Sequence, residues 1–299
     1  MKYPGKIWVL LVFISLIAGP PTLSQVKVQV VTQKISKTFD WNKGMSLQMN
    51  AEHAEIICTT HPSNTIILEL TITSKHENKN TAEGDLKKMK WLAEMKGDKF
   101  YLRNYVELAR GETRPESALK VTYNLKVPED CPLDIRNYFG SIDIKNVKAG
   151  LKINSEFSKI SLGKVGGNVN IQTLFGDIDC TQVDGETAII SNRSDISMAE
   201  MSGNIDIDAS VAEINLGSFG KVKQLKIKAE KSVIDLKMPQ FDQFAFSLDL
   251  SDCEFKKPEN MMVDISLSDP SNIKAKFQVN SNKPLVTINL NFGSLAINP

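Results

Sequence analysis

The chain has 299 residues, of which 24% are charged and 41% are hydrophobic, and its formal net charge is +1. This balance excludes the strongly basic surface that nucleic-acid binding requires, so no nucleic-acid partner is expected. The length fits one large all-β domain or two smaller domains.

The first 24 residues have the layout of a secretory signal peptide. Lys2 and Lys6 form a basic region, residues 7–19 form an apolar run too short for a stable membrane span, and "PPTLSQ" follows. Cleavage after Ser24 is expected to leave residues 25–299, which contain no second long apolar run and therefore no membrane span. The alternative is a retained N-terminal anchor. The protein is predicted to be exported, to the periplasm or to the cell surface.

The mature chain begins with two predicted strands and a predicted helix. Residues 45–60 and 64–75 alternate apolar and polar side chains, as strands do. The following segment, 80–98, is rich in helix formers and has apolar residues at helical spacing. A short helix is therefore predicted at about 82–95, ended by Gly97, as an insertion in the β fold.

A repeat of about 18 residues dominates the middle of the chain and is most regular over residues 133–236. Apolar residues alternate with polar ones within each copy, and like residues recur at one position in successive copies. Stacked strands lie about 4.8 Å apart, so each apolar residue is expected to lie on its counterpart in the next coil. The expected inward columns are Ile142, Ile160, Ile178, Ile196, Ile214; Ile144, Leu162, Cys180, Met198, Leu216; Leu133, Leu151, Val169, Thr187, Ile205; Ile135, Ile153, Ile171, Ile189, Ile207; and Val147, Val165, Val183, Met201, Phe219.

These columns predict an all-β, single-stranded β-solenoid (β-helix) with coils of about 18 residues, which forms one domain over 25–299 and carries the short helical insertion. Small residues at one corner are expected to let the backbone bend; they are Gly140, Ser158, Gly176, Ser194 and Ala212. They follow Phe139, Phe157, Phe175, Arg193 and Val211. A second column, Ala149, Gly167, Gly185 and Gly203, is expected to have positive φ.

The cysteines fit no zinc motif and no dense disulfide framework. Cys180 occupies an inward column and is predicted to be a buried free thiol. Pairing among Cys58, Cys131 and Cys253 is left open, because an exported chain could oxidise them.

Alternating segments continue after the regular coils, at 244–250, 261–267, 273–279 and 284–297. Residues 292–297, "FGSLAI", look like one more copy of the repeat. The chain is therefore expected to end on a coil whose open edge must be covered or charged.

Outward-facing carboxylates give the best candidate ligand surface. Asp177, Asp195 and Glu213 share one outward column, and Asp179 lies on the next. Arg193 interrupts the aromatic corner column, either as a solvated side chain or as a ligand contact. The acidic face is interpreted as solvated or, alternatively, as a Ca²⁺ site, although a flat strand face offers few of the six to eight oxygens that Ca²⁺ takes.

No catalytic residue, metal site or cofactor is expected. The three histidines all precede the repeat, and no nucleophile elbow, zinc-protease motif or phosphate loop occurs. His53, Cys58 and His61 could form a metal cluster, but they lack a fourth ligand. No groove-lining aromatic residue is recognised among the coils, which disfavours a carbohydrate-active enzyme.

The segments "FGSIDIKNVKAGLKIN", "FGDIDCTQVDG" and "MSGNIDIDAS", after a strand ending in "LKVPEDCPLDI", resemble a bacterial adhesin family of β-strand-repeat proteins. The resemblance covers about residues 40–299. It implies an exported β-solenoid for which adhesion is a proposed role, and it offers no functional residues. Ser158 and Ser194 depart from the glycine that the family has at those positions.

The sequence therefore predicts a non-catalytic exported binding or scaffold protein, a cell-surface adhesin that suits an extended partner such as a glycan or another strand. The alternative is a periplasmic envelope protein that binds a protein partner. A carbohydrate-active β-helix enzyme is the least favoured interpretation.

Overall fold

The computed structural model describes residues 27–268, 271–279 and 282–299. The predicted signal peptide, residues 1–24, lies outside them. The elements are β1 Gln29–Asp40, β2 Ser46–His61, β3 Thr65–His76, α1 Lys79–Lys88, β4 Met89–Lys96, β5 Lys99–Val106, β6 Ala118–Pro128, β7 Leu133–Lys145, β8 Leu151–Leu174, β9 Ile178–Asn192, β10 Ile196–Ser210, β11 Glu213–Gly217, β12 Lys221–Lys237, a 3-10 turn Phe241–Gln243, β13 Ala245–Lys256, β14 Asp264–Ser268, β15 Asn272–Phe277 and β16 Leu285–Asn298.

These strands form one large mixed sheet, which confirms the all-β prediction. Its order is β1-β3-β6-β2-β7-β8-β9-β10-β11-β12-β16-β13-β15-β14, with β5 paired to β2 and β4 paired to β5. The centre is parallel, whereas β1, β3 and β6 at one end and β13, β15 and β14 at the other pair antiparallel. The prediction of a single solenoid did not include these antiparallel strands, because alternation of apolar residues is the same in both directions of pairing.

The parallel centre pairs residues at the spacing of the sequence repeat. Ile142, Ile160, Ile178, Ile196 and Ile214 pair in succession, and all five are buried. The other predicted inward columns are buried as well, including Thr187. A buried aliphatic side chain contributes about 1.5–3 kcal/mol. The in-register columns are therefore the main stabilising feature of the centre.

The helical insertion is shorter than predicted. Helix α1 is Lys79–Lys88, and Asn78 caps it by accepting hydrogen bonds from the backbone N–H groups of Asn80 (2.8 Å) and Thr81 (3.3 Å). The prediction of helix over 82–95 was therefore wrong beyond Lys88.

Residues 89–96 are strand β4, which forms an antiparallel hairpin with β5. Gly97 does not end a helix; it has φ +63° and lies in the hairpin turn. Strand β5 also pairs in parallel with β2. These long-range backbone hydrogen bonds outweigh the intrinsic helix propensity of the segment, which is only a weak preference.

The last strand does not end the stack. Strand β16 pairs in parallel with β12 on one side and with β13 on the other. Its Gly293 pairs with Ser232 on one side and with Cys253 on the other, so residues 292–297 align with the small-residue positions of the neighbouring strands. The expectation that this copy forms the open edge was wrong, because the chain returns and inserts β16 between two earlier strands.

All four cysteines are free, and Cys58, Cys131 and Cys180 are buried. Burial raises the pKa of Cys58 and Cys180 to about 12 and that of Cys131 to about 11, so these thiols stay neutral. The prediction of a buried free thiol at Cys180 is confirmed.

Candidate binding surface

One corner of the stack has the same backbone conformation in every coil. Each coil places there a residue with φ between +50° and +62°, followed by a small residue. We call this column the first corner; it consists of His53, Phe139, Phe157, Phe175, Arg193, Val211, Lys231, Phe292 and Asp252. The left-handed conformation turns the chain sharply at this position.

The small residues that follow are required by the close approach of neighbouring coils. A Cβ atom on Gly176 would lie 2.1 Å from the carbonyl oxygen of Ser158, and one on Gly140 would lie 1.9 Å from that of Ala54. Serine alternates with these glycines. The Ser194 hydroxyl accepts a hydrogen bond from the Gly176 N–H (2.9 Å) and donates to the Asn192 carbonyl (3.1 Å).

The departure from glycine at Ser158 and Ser194 therefore has a structural cause, because the serine hydroxyls satisfy backbone groups at the bend. Ser232 forms the equivalent bonds with Ala212 and Glu230. Cys253 occupies the same column, and its thiol donates to the Ser251 carbonyl at 3.0 Å. Side-chain hydroxyl or thiol groups therefore form hydrogen bonds with backbone groups at this corner beyond the regular repeat as well.

Aromatic side chains stack along half of the first corner. The ring centroids of His53 and Phe139 are 5.2 Å apart, those of Phe139 and Phe157 are 4.8 Å apart, and those of Phe157 and Phe175 are 5.0 Å apart. The planes are within 16° of parallel. The Arg193 guanidinium lies over the Phe175 ring, 5.7 Å from its centroid, and ends the stack.

Tyr138 extends this stack sideways. Its ring meets Phe139 at 4.4 Å and Phe157 at 5.9 Å in edge-on contacts. We call His53, Tyr138, Phe139, Phe157 and Phe175 the aromatic ridge. Tyr138, Phe157 and Phe175 are 43%, 39% and 42% exposed. The ridge therefore presents apolar ring edges to solvent along a projecting corner.

Folding alone does not account for these aromatic residues. A left-handed conformation costs a residue other than glycine roughly 1–2 kcal/mol. A stacked aromatic pair contributes about 0.5–1.5 kcal/mol beyond burial. Because Tyr138, Phe157 and Phe175 are only partly buried, burial and stacking together offset the backbone cost, and a strained, partly exposed aromatic column is a candidate binding surface.

The carboxylates singled out in the sequence run beside the ridge. Asp177, Asp195 and Glu213 are exposed and lie two residues after Phe175, Arg193 and Val211. We call these three carboxylates the acidic column. The Asp195 carboxylate accepts the Glu213 N–H at 2.8 Å.

Asp179 lies in the adjacent outward column between Ser161 and Ser197. Within the described part of the chain, no ion pair engages Asp177, Asp179, Asp195 or Glu213. Most acceptor positions of these carboxylates therefore remain available.

The opposite outward face differs in its charge pairing. Asp206 pairs with Lys226 and Asp208 with Lys228, each at 3.3 Å. Such exposed pairs contribute little to stability, but they satisfy both partners. The carboxylates of the acidic column differ from Asp206 and Asp208 in having no ion-pair partner among the described residues.

The sequence analysis named the carboxylates of the acidic column and Arg193 as candidate ligand contacts, and in the structure these residues lie along one edge. The aromatic ridge was missed as a surface. Its signal was present, because Phe139, Phe157 and Phe175 recur at the repeat spacing, but these residues were interpreted only as corner residues. His53 could not be assigned to the ridge, since it lies far from the regular repeat in sequence.

Two metal sites were considered as alternatives in the sequence analysis: Ca²⁺ on the acidic face, and a cluster of His53, Cys58 and His61. No group of three or more potential metal-ligating side chains occurs among residues 27–268, 271–279 and 282–299. His61 instead contacts the Thr65 carbonyl at 2.7 Å, and His53 belongs to the ridge. Over the same residues, none of the helices has the length and apolar character needed to cross a membrane.

Comparisons with known proteins give distant structural likenesses. No known family and no curated protein matches the chain. Among solved structures, it is similar to a provisionally named cell adhesion protein from Clostridium sporogenes, with 10% identity, a TM-score of 0.26, and coverage of 90% of this chain and 99% of that one. It is also similar to a provisionally named lipid binding protein from Parabacteroides distasonis, with 13% identity, a TM-score of 0.44, and coverage of 90% and 96%. Likenesses this distant carry no argument about function.

Proposed function

We propose that this chain is an exported, non-catalytic binding protein that holds its partner along the aromatic ridge and the acidic column. The observation that carries the proposal is the exposed stack of aromatic rings held in a strained backbone conformation. This stack is partly exposed and runs along a regular edge.

The scaffold we propose is a β-solenoid of about 18-residue coils. Support comes from the parallel, in-register pairing of β7 to β12 and from the recurring left-handed corners. A solenoid repeats the same side-chain position at a constant spacing. It therefore suits a partner that is itself extended and periodic.

The partner class we favour is a neutral, extended glycan. Sugar hydroxyl groups are hydrogen-bond donors, and the unpaired carboxylates Asp177, Asp195 and Glu213 are acceptors. The apolar C–H surface of a sugar can pack on the ring edges of Tyr138 and Phe157. The rings recur every 4.8–5.2 Å, which is close to the spacing of neighbouring strands, so they offer an extended chain a regular series of contacts. A charge-neutral chain also avoids repulsion from the acidic column.

Export rests on the N-terminal segment. Its basic start, apolar run and small-residue end are those of a cleaved signal. N-terminal sequencing of the mature protein should give Gln25 as the first residue. Protease treatment of intact cells should degrade a surface protein and spare a periplasmic one, which separates the adhesin role from a periplasmic role.

A second candidate is an envelope protein that binds a protein partner through an exposed strand. The twelve-residue strand β1 lies at one end of the sheet order and pairs with β3. An edge strand can accept an added strand from a partner. Lys34 and Lys37 lie on this strand, and charged edge residues discourage non-specific pairing.

The glycan proposal can be tested by affinity electrophoresis in gels that contain a neutral β-linked polysaccharide, such as hydroxyethyl cellulose, xylan or laminarin. The wild type should be retarded by one or more of them. The variant Phe157→Asn/Phe175→Asn should migrate without retardation. The matched control is Lys164→Asn/Gln182→Asn, which changes the other left-handed corner of the same two coils.

Three outcomes decide between the candidates. Retardation lost only in the phenylalanine variant supports the ridge as the binding surface. No retardation of the wild type by any polysaccharide rejects the glycan and favours the edge-strand partner. New reducing ends in the recovered polysaccharide would show turnover and would overturn the non-catalytic assignment.

A further inference from the structure

A polar cavity lies on the strand face that precedes the first corner, near the C-terminal end of the stack. Five neighbouring strands line it: β10, β12, β16, β13 and β15. Its volume is about 520 Å³, within the range of small-molecule sites. The polar side chains that line it are exposed or half-buried, so a ligand in the cavity can reach them.

The charged side chains of this cavity neutralise one another. The ion pairs are Lys228–Asp208 at 3.3 Å, Lys274–Asp249 at 3.2 Å, and Lys231–Glu230 at 3.6 Å. Each charged side chain that lines the cavity belongs to one of these pairs. A charged ligand of either sign would therefore meet a like charge beside each opposite one, whereas a neutral ligand meets no such repulsion.

Two asparagines lie at the centre of the cavity. Asn289 and Asn291 are on β16, the middle strand of the five, and both are exposed. Neither amide has a hydrogen-bond partner among the described residues, whereas the amide of Asn204 donates to the Glu186 carboxylate at 2.8 Å. A side-chain amide both donates and accepts hydrogen bonds, which matches the chemistry of a hydroxyl group.

An exposed aromatic side chain follows directly after Asn291. Phe292 lies at the first corner with φ +58° and is 51% exposed. Its neighbours at this corner are Lys231 and Asp252, and no ring of the described residues stacks on it, unlike the rings of the aromatic ridge. Stacking therefore does not offset the strain of its backbone, and the ring face is available to a ligand.

We infer that this cavity is a second site, which binds a short neutral saccharide or the end of a glycan chain. The sugar hydroxyl groups form hydrogen bonds with Asn289 and Asn291, and the apolar C–H face of the sugar packs on Phe292. A fatty acid or an apolar peptide lacks a matching surface, because the apolar lining residues Ala209 and Ala229 are 2% and 3% exposed. The inference extends the ligand class of the proposed function to a separate set of residues and does not depend on the ridge.

The test is a calorimetric titration of the full mature chain carrying Phe157→Asn/Phe175→Asn, so that the ridge does not contribute. The probes are cellotriose, xylotriose and laminaritriose, with trigalacturonate as the anionic probe of the same length. At least one neutral trisaccharide should bind, and more tightly than trigalacturonate. Adding Phe292→Asn should weaken this binding by about tenfold, because an apolar packing surface is lost.

A second variant keeps the test decisive. Asn289→Ala/Asn291→Ala should also weaken binding by about tenfold, because neutral hydrogen bonds are lost. The matched control is Asn168→Ala/Asn170→Ala, two exposed amides at the same separation in an earlier coil, which should leave binding unchanged. The same losses are expected in the wild-type chain, which serves as the background if the ridge variant does not fold.

The outcomes separate this site from the ridge. Binding of no neutral trisaccharide overturns the inference, and so does tighter binding of trigalacturonate. Equal binding before and after the Phe292 and asparagine substitutions overturns it as well. None of these results bears on the ridge, which is tested in polysaccharide gels, where chain ends are scarce.

Discussion

The two left-handed corners of each coil have the same backbone and opposite chemistry. The first corner carries Phe139, Phe157 and Phe175, whereas the second corner of the same coils carries Asn146, Lys164 and Gln182, also with positive φ. Glu200 and Ser218 continue the second corner. Small polar residues are the usual occupants of this conformation and aromatic residues are not. The comparison shows that the backbone does not select the aromatic rings; we attribute them to binding.

The largest loss of stability is expected from a substitution in the buried columns, which support both corners. Ile178→Asp places an unpaired charge inside a buried column and should cost about 4–5 kcal/mol or more, enough to unfold the chain. Urea denaturation followed by circular dichroism measures this. Asp179→Asn, at the exposed neighbouring position, should change stability by less than about 0.5 kcal/mol. Equal stability of the two variants would mean that the inward column is misassigned.

The next largest loss of stability is expected where neighbouring strands approach each other closely, which they do at the first corner and not before the second. Gly176→Ala at the first corner brings a Cβ to 2.1 Å from the Ser158 carbonyl oxygen, and the overpacking should cost about 3 kcal/mol. Gly163→Ala precedes the second corner, and its Cβ would meet ordinary contacts at 3.5 Å and 3.7 Å. It should be neutral or slightly stabilising. A loss of stability in Gly163→Ala as large as that in Gly176→Ala would contradict the difference in packing.

A smaller effect is expected from the serine that replaces glycine at the first corner. Ser194→Ala removes the acceptor for the Gly176 N–H and the donor to the Asn192 carbonyl, and should cost about 1–2 kcal/mol. The control is Ser197→Ala, an exposed position in the same coil. Thermal unfolding of both variants checks the prediction. If Ser194→Ala melts like the wild type, the hydroxyl is not needed at the bend.

The smallest change in stability is expected from lengthening the ridge. Arg193→Phe replaces a cation–π contact with a ring stack, so stability should change by no more than about 1 kcal/mol. Under the proposed function, retardation in polysaccharide gels should increase, because the ridge gains one ring. Unchanged or weaker retardation would indicate that Arg193 itself contacts the ligand.

These comparisons also show what the sequence could reveal. The repeat spacing predicted the buried columns correctly, since stacking requires like residues at one register. It could not give the antiparallel ends, because alternation does not encode strand direction. The prediction of helix over 89–95 was wrong, because the pairing of β4 with β5 and of β5 with β2 depends on residues outside that segment. The outward position of the carboxylates in the acidic column could be predicted from their alternation with apolar residues. The exposure of the phenylalanines could not be predicted, since a corner residue can point inward or outward without any change in spacing.

The central claim is that the aromatic residues of the first corner are not needed for folding. Equilibrium urea denaturation of Phe157→Asn/Phe175→Asn beside Lys164→Asn/Gln182→Asn tests it most directly. We expect the phenylalanine variant to lose about 2–3 kcal/mol of unfolding free energy, because the rings are only partly buried and the lost burial and stacking are offset in part by relief of the strained backbone, which asparagine adopts more readily. The control variant should match the wild type. A loss of about 6 kcal/mol or more, the sum expected for two buried phenylalanines, would show that the rings are core residues and would contradict the account.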